Sequence, residues 1–168
     1  MNRTALRLSL ALAAVLSSTA ARAGTATATI NVSAQVPQSC KITSSSDIAF
    51  GAYDPVVTHA SAAKTATGSV TLQCTKGTTY DLKLGLGSNA AGSQRQLKSP
   101  TTSAVLSYDL YSDTASPATP WNETTYVTKT AANMSPATLT IYAEIPAGQP
   151  TAEVAADYAD SVTATLNF

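Results

Sequence analysis

The chain is poor in the residues that carry chemistry. Its 168 residues include one histidine, His59, and two cysteines, Cys40 and Cys74, and only 12% are charged. A lone histidine and scattered carboxylates supply no nucleophile paired with a base, so the composition argues against an enzyme. His59 lies in a Thr/Ala/Ser-rich stretch with no second ligand at metal-binding spacing. Zinc spacing, calcium-loop patterns and phosphate-binding glycine loops are also missing, so neither metal nor cofactor is expected. There is no basic run to attract nucleic acid or anionic lipid. No internal repeat suggests a propeller or solenoid, and no stretch after the first twenty-odd residues shows a convincing helical period.

What is present begins with a processing signal. Arg3 and Arg7 precede the apolar run LSLALAAVLSSTA, and Ala21-Arg22-Ala23 has the small-x-small form of a cleavage site. The run is short for a membrane span of about 20 residues. Residues 1–23 are therefore read as a signal peptide, and the remaining chain as one exported domain. That chain carries seven basic and ten acidic residues, a formal net charge of −3.

The next stretch, Gly24–Val36, alternates without a fault. Ala26, Ala28, Ile30, Val32, Ala34 and Val36 fall on one face, and Thr25, Thr27, Thr29, Asn31, Ser33 and Gln35 on the other. Such alternation predicts a β-strand of roughly 40 Å, at about 3.3 Å per residue. Pro37 ends it, having no N–H for a ladder. The plain reading of such a stretch is an ordinary first strand paired within its own domain.

Further strands are expected at Cys40–Ile42, at Ile48–Gly51 after an SSSD turn, in GSVTLQC through Val70, Leu72 and Cys74, and in YDLKLGL through Tyr80, Leu82, Leu84 and Leu86. Thr75–Thr78 between the last two reads as a hairpin connection. His59–Ala66 reads as a surface loop, and Gly87–Pro100 as a long loop containing Arg95 and Lys98. Strands follow at Val105–Tyr111, at Leu139, Ile141, Ala143 and Ile145, and at Val162, Ala164, Leu166 and Phe168. Short strands punctuated by turn residues predict an all-β sandwich.

Three polar or aromatic groups invite a functional reading. Asp157 and Asp160 flank Tyr158 but are read as a solvated turn. Asp109 and Asp113 are read as solvent-facing. Tyr108, Tyr111 and Trp121 suit a sugar-binding patch, although core packing is the preferred reading. Cys40 and Cys74, an even pair in an exported chain, are read as a disulfide tying neighbouring strands.

Several segments together are similar to the spore coat protein U domain family, which includes the subunits of archaic (Csu-type) chaperone–usher pili. They are Cys40–Ile42, Ile48–Pro55, Leu72–Thr78, Leu106–Tyr111, Trp121, Ile141–Gln149 and Tyr158–Val162. Departures occur at Asn122 and Ala143, where the family often has glycine, and at Ala155-Ala156-Asp157, where a nearby glycine is expected. The resemblance implies an incomplete immunoglobulin-like β-sandwich completed by donor-strand exchange, with residues 24–37 as the donor extension and 38–168 as the pilin domain. The donor interface would be Ala26, Ala28, Ile30, Val32, Ala34 and Val36. The implied partners are a periplasmic pilus chaperone, an outer-membrane usher and neighbouring pilin subunits. The product would be a surface fimbrium for adhesion and biofilm formation. The alternative is a secreted, self-complemented sandwich acting as a coat or carbohydrate-binding protein.

Overall fold

The computed structural model describes residues 22–114 and 117–168, so nearly all of the expected signal segment lies outside the described residues. The chain divides into two units, Met1–Ala34 and Gln35–Phe168. In the first, residues 22–34 join no ladder and are exposed. Among the described residues, the stretch expected as a strand over 24–36 joins no ladder.

The second unit is all-β. Its strands are β1 (Cys40–Ser46), β2 (Lys64–Cys74), β3 (Thr79–Leu84), β4 (Arg95–Lys98), β5 (Val105–Tyr111), β6 (Val127–Thr130), β7 (Ala137–Ile145) and β8 (Ala164–Asn167). One sheet has the order β1-β2-β7-β5-β4 and the other β6-β3-β8. All the pairings are antiparallel.

Alternation explains how the sheets close on each other. Val70, Leu72 and Cys74 of β2, Tyr108 and Leu110 of β5, and Leu139, Ile141, Ala143 and Ile145 of β7 are buried. Tyr80, Leu82 and Leu84 of β3 face them. The intervening Thr71, Asp81, Ser107, Thr140 and Tyr142 point away from the core. Trp121, 1% exposed, seals the layer. Its indole N–H donates to the Leu82 carbonyl at 2.8 Å, and its backbone N–H donates to the Leu110 carbonyl at 2.8 Å. Cys40 and Cys74 stand opposite each other on β1 and β2 and are disulfide-bonded, as expected.

Several expectations need correction. Ser44–Ser46, read as part of a turn, continue β1 past a bulge at Thr43, and Ile48–Gly51 form no strand. Thr75–Thr78 is not a hairpin: β2 and β3 belong to different sheets, and Gly77, at φ 86°, turns the chain across. Residues 64–66 already belong to β2, and His59 is only 8% exposed, stacked 5.2 Å from the Tyr53 ring. The Gly87–Pro100 loop contains β4, where Arg95 is buried at 3% exposure. At Asn122, Ala143 and 155–157 the backbone has no positive φ, which explains why these positions tolerate a side chain. Asn122 instead caps a turn, accepting hydrogen bonds from the Thr124 and Thr125 N–H groups at 2.8 and 2.7 Å.

Candidate functional site

The sandwich is open along one side. In the second sheet β8 pairs with β3 alone, and in the first sheet β1 pairs with β2 alone, so each presents an unpaired edge. Inward-facing residues beside these edges are not sealed. Ile42 of β1 is 40% exposed, while Val162, Ala164 and Leu166 are only half-buried although they pack against the core. Buried apolar side chains elsewhere in this core are far better covered, which locates the missing cover between β1 and β8.

A cleft of about 740 Å³ occupies that place. One wall is Ile42, Ser45, Ser46, Asp47, Ile48 and Phe50, and the other is Tyr158–Val162 with Ala164. Its floor is Val70, Leu84, Leu97, Tyr108, Leu110 and Ile141 from both sheets. Gly68 helps to shape it: a Cβ there would lie 2.5 Å from Ile48 Cγ1, so only glycine lets Ile48 lie flat over β2. A second cleft of about 840 Å³ lies beside the first and shares Ile48, Phe50, Leu97 and Tyr158 with it. Leu106 and Ile145 form its base, with residues 49–56 and 152–156 around it.

The loop at the second cleft is held from below. Asp54 Oδ1 accepts from the Val56 and Val57 N–H groups at 2.9 and 3.1 Å, and these bonds lower the carboxyl below its ordinary range. The Tyr53 hydroxyl donates to the Pro146 carbonyl at 2.8 Å and accepts from the Gln149 N–H at 3.1 Å.

Beneath the first cleft is a buried polar layer. The Arg95 guanidinium donates to the carbonyls of Leu84 (3.2 Å), Gly85 (2.8 and 3.0 Å) and Trp121 (2.8 Å), tying β4 to the end of β3. Burial pulls its pKa down, while Tyr108, Asp109 and Asp160 act in the opposite direction. Tyr108 donates to Asp160 Oδ2 at 2.7 Å. Burial first, and then this hydrogen bond, raise the phenol well above the ordinary tyrosine value, so it remains a protonated donor. Asp160 is therefore not part of a solvated turn. Asp109 is half-buried rather than solvent-facing; burial raises its pKa, and Gln94 and Arg95 oppose that. Asp113 accepts from the Thr119 N–H at 3.1 Å. Tyr108 and Trp121 are in the core, as the packing reading expected, and Tyr111 is half-buried.

The six apolar residues expected at a donor interface lie outside every ladder. Among them Ile30, Val32 and Val36 are 84%, 90% and 80% exposed. The cleft itself had no signal in the sequence beyond the alternation of its separate strands, since its walls come from segments more than a hundred residues apart.

A two-sheet antiparallel sandwich with one strand's place open defines the class: an incomplete immunoglobulin-like β-sandwich. The profile of the Spore Coat Protein U domain matches residues 26–165, and the chain belongs to that family. It is 32% identical to Protein U of Myxococcus xanthus over 178 residues, covering 99% of this chain and 98% of that protein. A solved structure of similar fold is the CsuC–CsuE chaperone–tip adhesion subunit pre-assembly complex from archaic chaperone–usher Csu pili of Acinetobacter baumannii. The TM-score is 0.55 at 22% identity, over 79% of this chain. This chain spans 40% of the length of that matched chain.

Proposed function

We propose that the protein is a structural subunit of a chaperone–usher pilus that polymerises by donor-strand exchange. The observation that carries this reading is the open cleft between the free edges of β1 and β8, beside which the inward-facing Ile42, Val162, Ala164 and Leu166 are left partly exposed. An edge with unpaired N–H and C=O groups over an apolar slot is a template for an added strand.

Gly24–Val36 has the chemistry of that strand. Its alternate apolar residues repeat about every 6.7 Å when extended, and β1, with its seven residues, flanks roughly 23 Å. Three or four of the six apolar side chains fit beside β1, and the rest reach the adjoining cleft. Donor and acceptor lie on different parts of one chain, so the contact between copies is a head-to-tail one that need not close and can extend into a fibre. Before assembly, the exposed slot requires a periplasmic chaperone, and an outer-membrane usher would export the subunits. A surface fimbrium serving adhesion and biofilm formation is the expected product, with residues 1–23 removed as the signal peptide. One solved structure supports this reading: 40% of the matched chain in a Csu chaperone–tip adhesion subunit pre-assembly complex has a similar fold.

The test is photo-crosslinking in assembled material. A benzophenone side chain replacing Ile30 should crosslink to a second copy, in peptides covering 42–50 or 158–166. Crosslinks confined to the same copy would overturn the reading.

A further inference from the structure

The lip Tyr158–Val162 crosses from one sheet to the other. Its backbone is tied at Ala159, which exchanges hydrogen bonds with Lys98 at 3.0 and 3.1 Å, and at Ser161, whose carbonyl accepts from the Ser88 N–H at 3.1 Å. Just beyond it, the Thr163 carbonyl accepts from Gly85 at 2.9 Å. The side chains of Asn89 and Ser88 also donate to the lip, to the Ala159 carbonyl at 3.0 Å and the Ser161 carbonyl at 3.3 Å, and between these ties Asp160 makes four hydrogen bonds. Asp160 Oδ1 accepts from the N–H groups of Ser88 (2.8 Å) and Asn89 (3.1 Å) and from Asn89 Nδ2 (3.2 Å), while Oδ2 accepts from the Tyr108 hydroxyl (2.7 Å).

The surroundings are shaped to this carboxylate. Gly87 has φ +91°, and a Cβ there would lie 1.9 Å from Asp160 Oδ2. On its other side, the Tyr108 ring meets Phe50 edge-on at 6.3 Å, and Phe50 belongs to the opposite wall. Asp160, Tyr108 and Phe50 thus form a continuous path under the cleft from one lip to the other.

We propose that Asp160 is a positioning residue for strand acceptance, holding the Tyr158–Val162 lip in place while the cleft is empty. This rests on the strand-acceptor reading above. Once a strand is seated, its ladder bonds brace the lip from the open side, and the carboxylate is one support among several. Before that, the lip rests on its backbone ties, on Ser88 and Asn89, and on Asp160, which makes more of the side-chain hydrogen bonds than either of the others. Loss of Asp160 therefore lowers the fraction of molecules ready to accept a strand, and apparent affinity falls by that fraction. The deficit appears in association rather than dissociation.

The experiment uses the full chain carrying Ile30→Asp, so that its own segment does not compete, and a fluorescent peptide of residues 24–36. Stopped-flow mixing gives kon, and displacement by unlabelled peptide gives koff. Asp160→Ala and Tyr108→Phe should each lower kon by about tenfold, corresponding to a competent fraction near one in ten, with koff changed less than about twofold. Tyr108→Phe keeps the core ring and removes only the hydroxyl, so it provides the test if Asp160→Ala does not fold. Unchanged kon, or a loss confined to koff, would overturn the proposal. Failure of the peptide to bind when Asp160 and Tyr108 are intact would overturn the acceptor reading and this proposal with it.

Discussion

Replacing Ile30 with aspartate tests both the direction and the chemistry of the donor segment. Ile30 is the bulkiest apolar residue of Gly24–Val36 and is 84% exposed in the isolated chain. The substitution therefore costs the free subunit little. In a neighbour's cleft it loses the burial of an isoleucine side chain, about 2 kcal/mol, and adds an unpaired carboxylate, about 3 kcal/mol or more. The cleft worsens the second term: Asp47 and Asp160 line it, and none of its lining residues is basic. A total near 5 kcal/mol lowers the junction constant by three to four powers of ten at about 1.4 kcal/mol each. Asn31→Asp, one residue along, faces the other way and should stay within about 0.5 kcal/mol, roughly twofold. The assay is surface fibre assembly, with the level of subunit–chaperone complex measured in parallel. Ile30→Asp should abolish fibres and leave the complex intact. Equal assembly by both variants would refute the reasoning, as would loss of the subunit itself.

Three other outcomes are expected. Denatured, unreduced protein should show no free thiol, and reduction of Cys40–Cys74, separated by 34 positions, should lower stability by about 3–4 kcal/mol in a denaturant titration; two labelled thiols would contradict this. Arg95→Leu leaves the Leu84, Gly85 and Trp121 carbonyls without this donor and should cost about 2–4 kcal/mol by urea unfolding; a loss under about 0.5 kcal/mol would remove Arg95 as a support of the β3 end. Hydrogen bonds from Ser99 and Thr101 hold the Asp157 carboxyl below its ordinary 3.8. A depressed carboxyl stabilises fully above the unfolded value and loses that contribution as pH falls through the folded one. Asp157→Asn should therefore flatten the fall of Tm below about pH 4, and parallel curves for variant and parent would contradict the assignment.

Much of the sandwich was legible because apolar alternation is a local signal. Val105–Tyr111 was expected as a strand and is β5, and Leu139–Ile145 forms most of β7. What local pattern does not reveal is which sheet a strand joins. Thr75–Thr78 has the composition of a hairpin, yet the choice was made by the packing of Tyr80, Leu82 and Leu84 against the opposite sheet. The short polar strand β6, Val127–Thr130, has almost no apolar face and gave no signal. Arg95 and Asp160 looked like loop charges because their partners are backbone groups and a tyrosine far away in the chain. The alternation of Gly24–Val36 could be read directly. The cleft between β1 and β8 could not, being made of edges and of what does not cover them.

In donor-strand exchange, the place between β1 and β8 would be filled by residues 24–36 of another copy. A cryo-EM map of assembled fibres tests it directly. The map should show a strand from one copy lying between β1 and β8 of the next, with Ile30 and Val32 directed toward the floor formed by Val70, Leu110 and Ile141. A map with that place filled by the copy's own residues 24–36, or left empty with copies joined through other faces, would contradict it.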